Sequence, residues 1–373
     1  MLENCKKIKS LDYCKSIFDG THDSPKYQKI GFPLVTSKCI INSKIVTTGA
    51  PLISEKDYCF INKRSAVRQF DILVSMIGKN AGIVGLVESL PHFAIKNVGV
   101  FRCKNELDSR FLFHYLQSPA GKNKLRSIMS GSAQPYICLE QLRTMTFDVP
   151  KDEITKQHIV DTIGSVDDLI EKNKEYLRQF QIMLKSKYKD LSLKESRKCK
   201  LSDLIIRTGK TSKNKEWSDS KIIDLSTMPN DNIFIDKFSN GSNFSTNIKT
   251  IGKNDLVYGS IRPYFRKAGF NWKTKYVAGS VYSFNTNRKD DYLWVLSCIC
   301  SEEFHKYTAT NSQGTKMPII NWDAFINFEL PYSEKSAVTL QNTMKPLLEL
   351  SIVKLKENDC LETIKSRLLK KYF

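Results

Sequence analysis

The residues best suited to chemistry in this sequence are cations interleaved with aromatic and amide side chains. One such cluster runs from Arg262 through Pro, Tyr, Phe and Arg to Lys267. Arg and Lys neutralise phosphates and, like Asn and Gln, can bond to the edges of bases. The pattern favours nucleic-acid binding, although each cluster taken singly is equally typical of a solvated face. The candidate contacts are Lys63, Arg64, Arg68, Lys79, Asn80, Lys210, Thr211, Lys213, Arg262, Tyr264, Arg266 and Lys267.

The motifs of common catalytic sites are missing from the sequence. It has no G-x-x-x-x-G-K-[ST] loop for nucleotide phosphates and no G-x-G-x-x-G turn for dinucleotides. It also lacks the Glu-x-Lys tripeptide of a common nuclease site and the Asn/Asp-Pro-Pro-aromatic tetrapeptide of base methylation. The histidines are dispersed, and the cysteines have no zinc spacing. We therefore expect a non-catalytic binding protein without metal or cofactor.

The charge of the 373-residue chain agrees with a polyanionic partner. Lys and Arg number 58 against 39 Asp and Glu, which gives a formal net charge of +19. Most of this charge, +14, lies in residues 1–150 and 199–331, so these parts attract phosphates most strongly. No apolar run approaches the roughly 20 residues of a membrane span, and the N-terminus has no signal-peptide core. We expect a cytoplasmic protein.

The sequence repeats itself at an offset of about 184 residues. Placed without a gap, residues 155–188 and 339–372 share seven of 34 positions. Upstream, the segment Gly131–Pro135 corresponds to Gly314–Pro318, and each precedes a predicted strand that ends at a proline. The chain therefore contains two copies of one unit.

Each copy predicts a strand-rich globular part followed by a long helix. Apolar residues after Pro150 recur at heptad spacing, with Asn173 at one seam position. The helix would have about 40 residues and a length of about 60 Å. One domain cannot bury such a seam, so we expect the two helices to pair antiparallel, with the globular parts at opposite ends. The predicted pairing residues are Ile163, Val166, Ile170, Asn173, Leu177, Phe180, Leu184, Leu347, Leu350, Leu361, Ile364 and Leu368.

The fold class that follows is α+β, with two pseudo-repeated domains, two long antiparallel helices and an internal pseudo-two-fold axis. Lys354 and Pro346 interrupt the second seam, and Pro346 predicts a kink or a late helix start. The predicted segments are a first globular domain at 1–150, a first long helix at 151–198, a second globular domain at 199–331 and a second long helix at 332–373.

A further set of motifs recurs in order along the chain: Asp19-Gly-Thr-His-Asp-Ser-Pro25, Asp71-Ile-Leu-Val with Asp255-Leu-Val, the two Gly-to-Pro segments, and Gln157 with Gln341. Asp-Gly by itself is also typical of a turn with positive φ. Together these features resemble the specificity subunit of type I restriction-modification systems, and the resemblance rests on the repeated order of the motifs rather than on any one of them. Two departures are ordinary variation: Lys156 and Leu340 stand where the family often has Glu, and the second domain lacks Asp-Gly-Thr-His.

The resemblance implies that each globular part is a target-recognition domain for one half of a bipartite DNA site. The helices would set the spacing and dock methyltransferase subunits, two in number, while restriction and translocase subunits would complete the complex. It adds Thr21, His22, Gln134 and Lys316 to the candidate DNA contacts. Two alternatives remain: a non-catalytic coiled-coil adaptor whose charge serves solubility, and an RNA-binding scaffold, although no RNP or GXXG motif is present.

Overall fold

The structure is a computed structural model that describes residues 5–212 and 216–373. The chain divides into two compact units. Unit 1 comprises Met1–Ile170 and Cys360–Phe373, and unit 2 comprises Glu171–Asp359. Each combines strands and short helices with parts of two long helices, so the α+β class predicted from the sequence is confirmed.

Unit 1 is built on a six-stranded sheet in the order β2-β10-β7-β8-β5-β4, beside the smaller sheets β1-β11 and β6-β3-β9. Its central strands are apolar on both faces because they are covered on both sides. The strands are β1 Cys5–Lys9, β2 Cys14–Asp19, β3 Phe32–Val35, β4 Ile40–Ile41, β5 Lys44–Ile45, β6 Leu52–Ile53, β7 Ile72–Ser75, β8 Val84–Leu86, β9 Ala94–Ile95, β10 Val98–Cys103 and β11 Thr146–Pro150; the helices are α1 Ser10–Tyr13, α2 Glu55–Ser65, α3 Glu106–Gln117, α4 Pro119–Ser127, α5 Leu139–Thr144 and α6 Glu153–Ser192.

Unit 2 contains a four-stranded sheet in the order β13-β21-β18-β19, a five-stranded sheet in the order β14-β17-β20-β15-β16 and the pair β12-β22. The strands are β12 Lys198–Lys200, β13 Ile205–Arg207, β14 Lys210–Thr211, β15 Lys221–Ile223, β16 Ser239–Asn240, β17 Ile248–Thr250, β18 Leu256–Gly259, β19 Ala268–Phe270, β20 Tyr276–Ala278, β21 Val281–Thr286 and β22 Glu329–Pro331; the helices are α7 Leu201–Leu204, α8 Tyr292–Ile299, α9 Glu302–Thr310, α10 Trp322–Ile326 and α11 Glu334–Tyr372.

The two units share one framework, as the sequence repeat predicts. The first strand of each pairs antiparallel with its last, β1 with β11 and β12 with β22. The strand order β2-β10-β7-β8 of unit 1 reappears as β13-β21-β18-β19 in unit 2. Two consecutive helices follow β10 and β21 alike. The additional strands differ, because unit 2 alone inserts the five-stranded sheet between β13 and β21.

The long helices α6 and α11 run antiparallel within each unit. In unit 1, Asp167 of α6 forms an ion pair of 2.6 Å with Lys365 of α11. In unit 2, Nδ2 of Asn173 donates to Oε2 of Glu357 over 3.1 Å. The numbering of α11 falls as that of α6 rises, which defines the antiparallel direction.

Pro346 lies inside α11, whose helical conformation begins at Glu334. The expectation of a helix start delayed by Pro346 is therefore wrong. A proline removes one backbone hydrogen bond from a helix. Leu340, Met344 and Leu348 flank Pro346 and are buried in the core of unit 2, and such packing supplies most of the stability of a helix in a protein.

The predicted pairing residues of α6 are buried, but many of them pack against a domain as well as against α11. Ile163 belongs to the core of unit 1, and Leu177, Phe180 and Leu184 belong to the core of unit 2. Within the described residues, one cluster consists of helix residues alone: Val166, Ile170 and Leu361, with Leu368 packed against it.

The predicted seam of α11 is wrong at two positions. Leu350 is 41% exposed and Ile364 is 44% exposed. Leu347 is partly buried against the core of unit 2, whereas Leu348 and Leu355 are fully part of that core. The inward face of α11 is set by the domain that it packs against, so copying the register of α6 misplaces it.

A charged pair lies inside unit 1 where α6 meets α3. Nζ of Lys156 donates to Oδ1 of Asp108 over 2.6 Å, and the hydroxyl of Tyr13 donates to the same oxygen over 3.0 Å. Both charged side chains are more than nine-tenths buried. Burial alone would lower the pKa of Lys156, but the hydrogen bonds from Lys156 to Asp108 and Glu153 outweigh it and raise that pKa.

Candidate nucleic-acid interface

In unit 1 the turn after β7 meets the segment that precedes α5. Ile77 forms an isolated antiparallel β-bridge with Tyr136, and the N–H of Gly78 donates to the carbonyl of Pro135 over 2.8 Å. Gly78 and Gly82 hold the turn with φ values of +85° and +82°, which glycine adopts without steric cost. We call residues 77–83 and 130–136 the unit 1 tip. Two loops far apart in sequence thereby form one surface.

The unit 1 tip carries three of the predicted contacts. Lys79 and Gln134 are exposed and Asn80 is half-buried. Within the described residues, the side chains of all three are without a hydrogen-bond partner or ion pair. Their amide and ammonium groups are therefore available to a ligand.

Unit 2 contains the same loop pair. Ile261 forms an isolated antiparallel β-bridge with Ile319, and the N–H of Arg262 donates to the carbonyl of Pro318 over 2.7 Å. A 3-10 turn at Pro263–Phe265 continues the loop, with Pro263 buried and Tyr264 and Phe265 exposed. We call residues 261–267 and 313–319 the unit 2 tip. It carries the predicted contacts Arg262, Tyr264, Arg266, Lys267 and Lys316, of which Tyr264 is 52% exposed and Lys316 is exposed.

Two cations of the unit 2 tip are engaged within the protein. The guanidinium of Arg266 makes a two-pronged contact with the carboxylate of Glu302, with N–O distances of 2.8 and 2.9 Å. Nζ of Lys267 donates to the carbonyl of Leu225, and burial lowers the pKa of Lys267. These contacts anchor the C-terminal end of the turn, at Arg266 and Lys267. Arg262 has no comparable side-chain partner among the described residues.

A second surface of unit 1 gathers four predicted contacts in one open cleft of about 470 Å³. Thr21 and His22 come from the loop after β2, and Lys63 and Arg64 come from the C-terminal turn of α2. Phe60 also lines this cleft and is 69% exposed. The cleft thus combines two cations and the carboxylate of Asp23 with an aromatic face. Cations clamp phosphates, and aromatic rings stack on bases.

The loop of the cleft is held by its own polar contacts. Nε2 of His22 lies 3.0 Å from Oδ2 of Asp19, and Nδ1 lies 2.8 Å from Oδ1 of Asn97. The guanidinium of Arg64 donates to the carbonyl of Gly20 over 2.9 Å. Thr21 itself is almost fully buried. The loop is therefore shaped before any ligand binds.

The glycine of the Asp-Gly-Thr-His motif has a different role from the expected one. Gly20 is not among the residues with positive φ, so the interpretation as a left-handed turn is wrong. A Cβ at this position would overlap the carbonyl carbon and oxygen of Ile95. Gly20 is needed because two backbones approach closely.

The remaining predicted contacts are dispersed. Arg68 is exposed and lies outside both the cleft and the unit 1 tip. Lys210 and Thr211 form β14, which pairs with β17, and Thr211 lines a cavity of about 300 Å³ with Asn247 and Lys249. Lys213 lies outside the described residues.

Sequence reasoning missed Phe60, Asn97 and Lys249. Phe60 stands three residues before Lys63 on a helix, so the two share a face, and this spacing could have indicated it. Asn97 is placed by the hydrogen bond from its N–H to the carbonyl of Thr21, and Lys249 by its pairing with Thr211. The local sequence gives no signal for either contact.

The described residues contain neither a cluster of metal-ligating side chains nor a helix that could span a membrane. Among residues 5–212 and 216–373, no group of His, Cys, Asp and Glu side chains is placed to hold a metal ion. In the same part of the chain, no helix is long and apolar enough to cross a membrane.

Comparison with known proteins agrees with this architecture. Residues 15–179 match the family model described as the type I restriction modification DNA specificity domain. No curated protein matches the chain. The crystal structure of a type I restriction-modification S subunit from M. genitalium is 14% identical, with a TM-score of 0.60 over 99% of this chain and 96% of that one.

Two further solved structures are similar at lower scores. A type I R-M system described for its complex assembly and conformational transition is 14% identical, with a TM-score of 0.42 over 99% of this chain and 97% of that one. The HsdS subunit from Thermoanaerobacter tengcongensis is 13% identical, with a TM-score of 0.37 over 100% and 97% of the two chains. Residues 15–179 of this chain thus match the model of the type I restriction modification DNA specificity domain, and the chain has the fold of a type I restriction-modification S subunit.

Proposed function

We propose that this chain is the sequence-specific DNA-binding subunit of a type I restriction-modification complex, in which each globular domain reads one half of a bipartite site. The observation that carries the proposal is the repeated loop pair. Both units join a turn to a Gly-to-Pro segment through matching backbone hydrogen bonds, and both tips offer unpaired side chains that can donate to base edges.

The electrostatics of the domains support the same proposal. Residues 1–150 and 199–331 carry +14 of the net charge of +19. In the cleft of unit 1, Lys63 and Arg64 lie beside the exposed ring of Phe60. Phosphate contacts supply affinity and orientation, while base contacts supply specificity. The cleft suits the first role and the two tips suit the second.

The division of labour along the chain follows from this proposal. Residues 1–150 and 199–331 are the two target-recognition domains, and residues 151–198 and 332–373 are the spacer helices. The helices set the distance between half-sites and dock the methyltransferase subunits, of which we infer two. Methylation, translocation and cleavage then belong to separate subunits, and this chain contributes recognition without catalysis.

The first experiment measures binding of the full-length chain to randomised duplex DNA at several salt concentrations. We expect log K to fall linearly with log salt, because cations on the protein release counterions from the phosphates. Lys63→Gln should weaken binding of all sequences alike and reduce the slope by about 1. Lys56→Gln is the matched control, because Lys56 is exposed on the same helix but does not line the cleft. Salt-independent binding, or equal affinity for RNA, contradicts the proposal.

A domain exchange tests the independence of the two halves. Replacing residues 199–331 by the equivalent stretch of another such protein should change one half of the recognised sequence and leave the other half intact. Loss of both halves in a folded and assembled protein would show that the domains do not read DNA separately.

A heptad deletion tests the spacer. Removing seven residues between 163 and 184 keeps the seam and shortens the helix by about 10 Å. We expect the spacer of the recognised DNA to shorten while both half-site sequences persist. Methylation of the unchanged site by a folded, assembled mutant would show that the helices do not measure distance.

A further inference from the structure

The tips of the two units share one backbone turn but differ in the residues that adopt its positive φ values. Gly78 and Gly82 hold positive φ in unit 1, and Arg262 and Arg266, at the same offset of 184 residues, take φ values of +51° and +54° in unit 2. A side chain with a Cβ adopts this left-handed conformation at a steric cost, whereas glycine does not. Unit 2 therefore keeps two arginines where the fold itself favours glycine.

The contacts of Arg266 account for its presence. Its guanidinium is matched by the carboxylate of Glu302 on α9, 36 residues away. That ion pair holds the turn against the first residue of the helix. No outside ligand is needed to explain Arg266.

The contacts of Arg262 leave its guanidinium unexplained. Its side chain is half-buried, and its Nε is fully buried without a hydrogen-bond acceptor among the described residues. A buried donor without a partner is unfavourable. This cost adds to that of the left-handed backbone, and contacts within the described residues offset neither. An external ligand cannot reach the buried Nε, but one with two coplanar acceptors can bind the two terminal amino groups of the guanidinium.

The fixed position of Arg262 restricts what that ligand can be. Its backbone N–H is bonded to Pro318, and its buried Nε limits the movement of the guanidinium. A planar guanidinium held in this way matches the O6 and N7 acceptors of guanine in the major groove, the commonest specific contact of arginine with DNA. A phosphate would also accept such a fork, and the experiment below separates these two ligands.

We propose that Arg262 is a specificity-determining residue that reads a guanine in the half-site recognised by unit 2. This proposal rests on the DNA-binding function proposed above. It assigns one base contact to one side chain. It also implies that the strained backbone at Arg262 is retained for recognition rather than for stability.

The experiment selects bound sequences from randomised duplex DNA with the full-length wild-type chain and with Arg262→Gln and Arg262→Gly. The wild-type motif should contain a guanine whose preference falls about 5-fold to 150-fold in Arg262→Gly. In Arg262→Gln the preferred base at that position should change to adenine, because a Gln amide pairs with N6 and N7 of adenine. The other positions of the motif should be unchanged.

Thermal unfolding of the same variants tests the structural part. Arg262→Gly should unfold at or above the wild-type midpoint, because it removes the left-handed strain and the unpaired Nε. A clear fall in the midpoint would overturn the claim that Arg262 is kept for recognition. Arg262→Gln retains the Cβ and therefore tests the base preference separately from the backbone strain.

The remaining outcomes are distinguishable. An unchanged motif in both variants overturns the assignment while the DNA-binding function stands. A uniform loss of affinity for all sequences, with a smaller salt slope, shows a phosphate contact and also overturns it. A wild-type chain that enriches no sequence overturns the proposed function itself.

Discussion

The backbone follows the same path through the tips of unit 1 and unit 2, but the side chains on it differ. Unit 1 has Gly78, Lys79 and Asn80 at the start of the turn, and unit 2 has Arg262, Pro263 and Tyr264. The turn is held in both by a backbone hydrogen bond to the Gly-to-Pro segment. The main chain of the framework therefore fixes the path of the turn, which leaves the side chains at the two tips free to differ.

The interiors of the two units differ in the charge of a buried side chain at matching positions. Lys156 of unit 1 is buried against Asp108, whereas Leu340, at the same offset of 184, packs in the apolar core of unit 2. A buried ion pair is often no more stable than well-packed apolar residues. The long helices therefore pack in a similar way in both units, through a buried ion pair in unit 1 and through apolar side chains in unit 2.

The largest expected effect comes from breaking the buried ion pair of unit 1. Lys156→Leu copies the residue of unit 2 into unit 1 and leaves Asp108 buried without its cation. We expect a loss of about 3–5 kcal/mol in the free energy of unfolding of unit 1. Hydrogen exchange resolved by peptide measures it. The double variant Lys156→Leu with Asp108→Asn removes the stranded charge and should recover part of the loss; a single variant as stable as wild type would show that the pair is dispensable.

Acidification is expected to weaken both units through a buried histidine in each. Burial, with Lys365 and Arg110 nearby, lowers the pKa of His114 to about 3, and burial, with Arg266 nearby, lowers the pKa of His305 to about 4. The unfolded chain takes up a proton near pH 6.5, so stability falls as the pH drops below that value and levels off below the folded pKa. At pH 4.5 each histidine should cost about 2–3 kcal/mol relative to pH 7.

Urea unfolding from pH 7 to 4.5 checks this expectation. His114→Gln and His305→Gln should each have a shallower pH dependence than wild type in the unit that they occupy. A pH dependence identical to wild type in His114→Gln would show that the histidine of unit 1 titrates normally.

A smaller effect is expected from moving the strained residue of unit 2 into unit 1. Gly78→Arg keeps the turn but places a Cβ at φ +85°, where no atom lies within 4 Å. The cost should therefore be conformational only, about 1–2 kcal/mol. Gly164→Ala is the matched control within α6, where no atom lies within 4 Å either, and should stabilise by about 1 kcal/mol. Equal midpoints for both variants would argue against backbone strain at the tip.

The smallest effect concerns the polar seam residue. Asn173 is buried and donates to Glu357 and Asn358. Asn173→Leu should raise the unfolding midpoint by about 2–4 °C, equivalent to about 1 kcal/mol, while loosening the register of the helices. Cross-linking of engineered cysteine pairs across α6 and α11 should become heterogeneous. Unchanged stability with a single cross-linking register would show that Asn173 does not set alignment.

The sequence by itself determined the features that depend on local spacing. The repeat at 184 residues, the α+β class and the long helices follow from periodicity, because the pattern that buries one face of a helix is visible along the chain. The Gly-to-Pro segments were found in the same way. Their repetition, rather than any single motif, also indicated which loops carry the candidate contacts.

Only the tertiary structure decided which candidate side chains are free. Arg262, Arg266 and Lys267 are equivalent in the sequence, yet Glu302 and Leu225 occupy the last two and leave Arg262 without a partner among the described residues. The exposure of Leu350 and the close backbone approach at Gly20 were decided in the same way. The physical reason is common to all of them: the deciding neighbour lies tens of residues away along the chain, and only the fold brings it within contact distance.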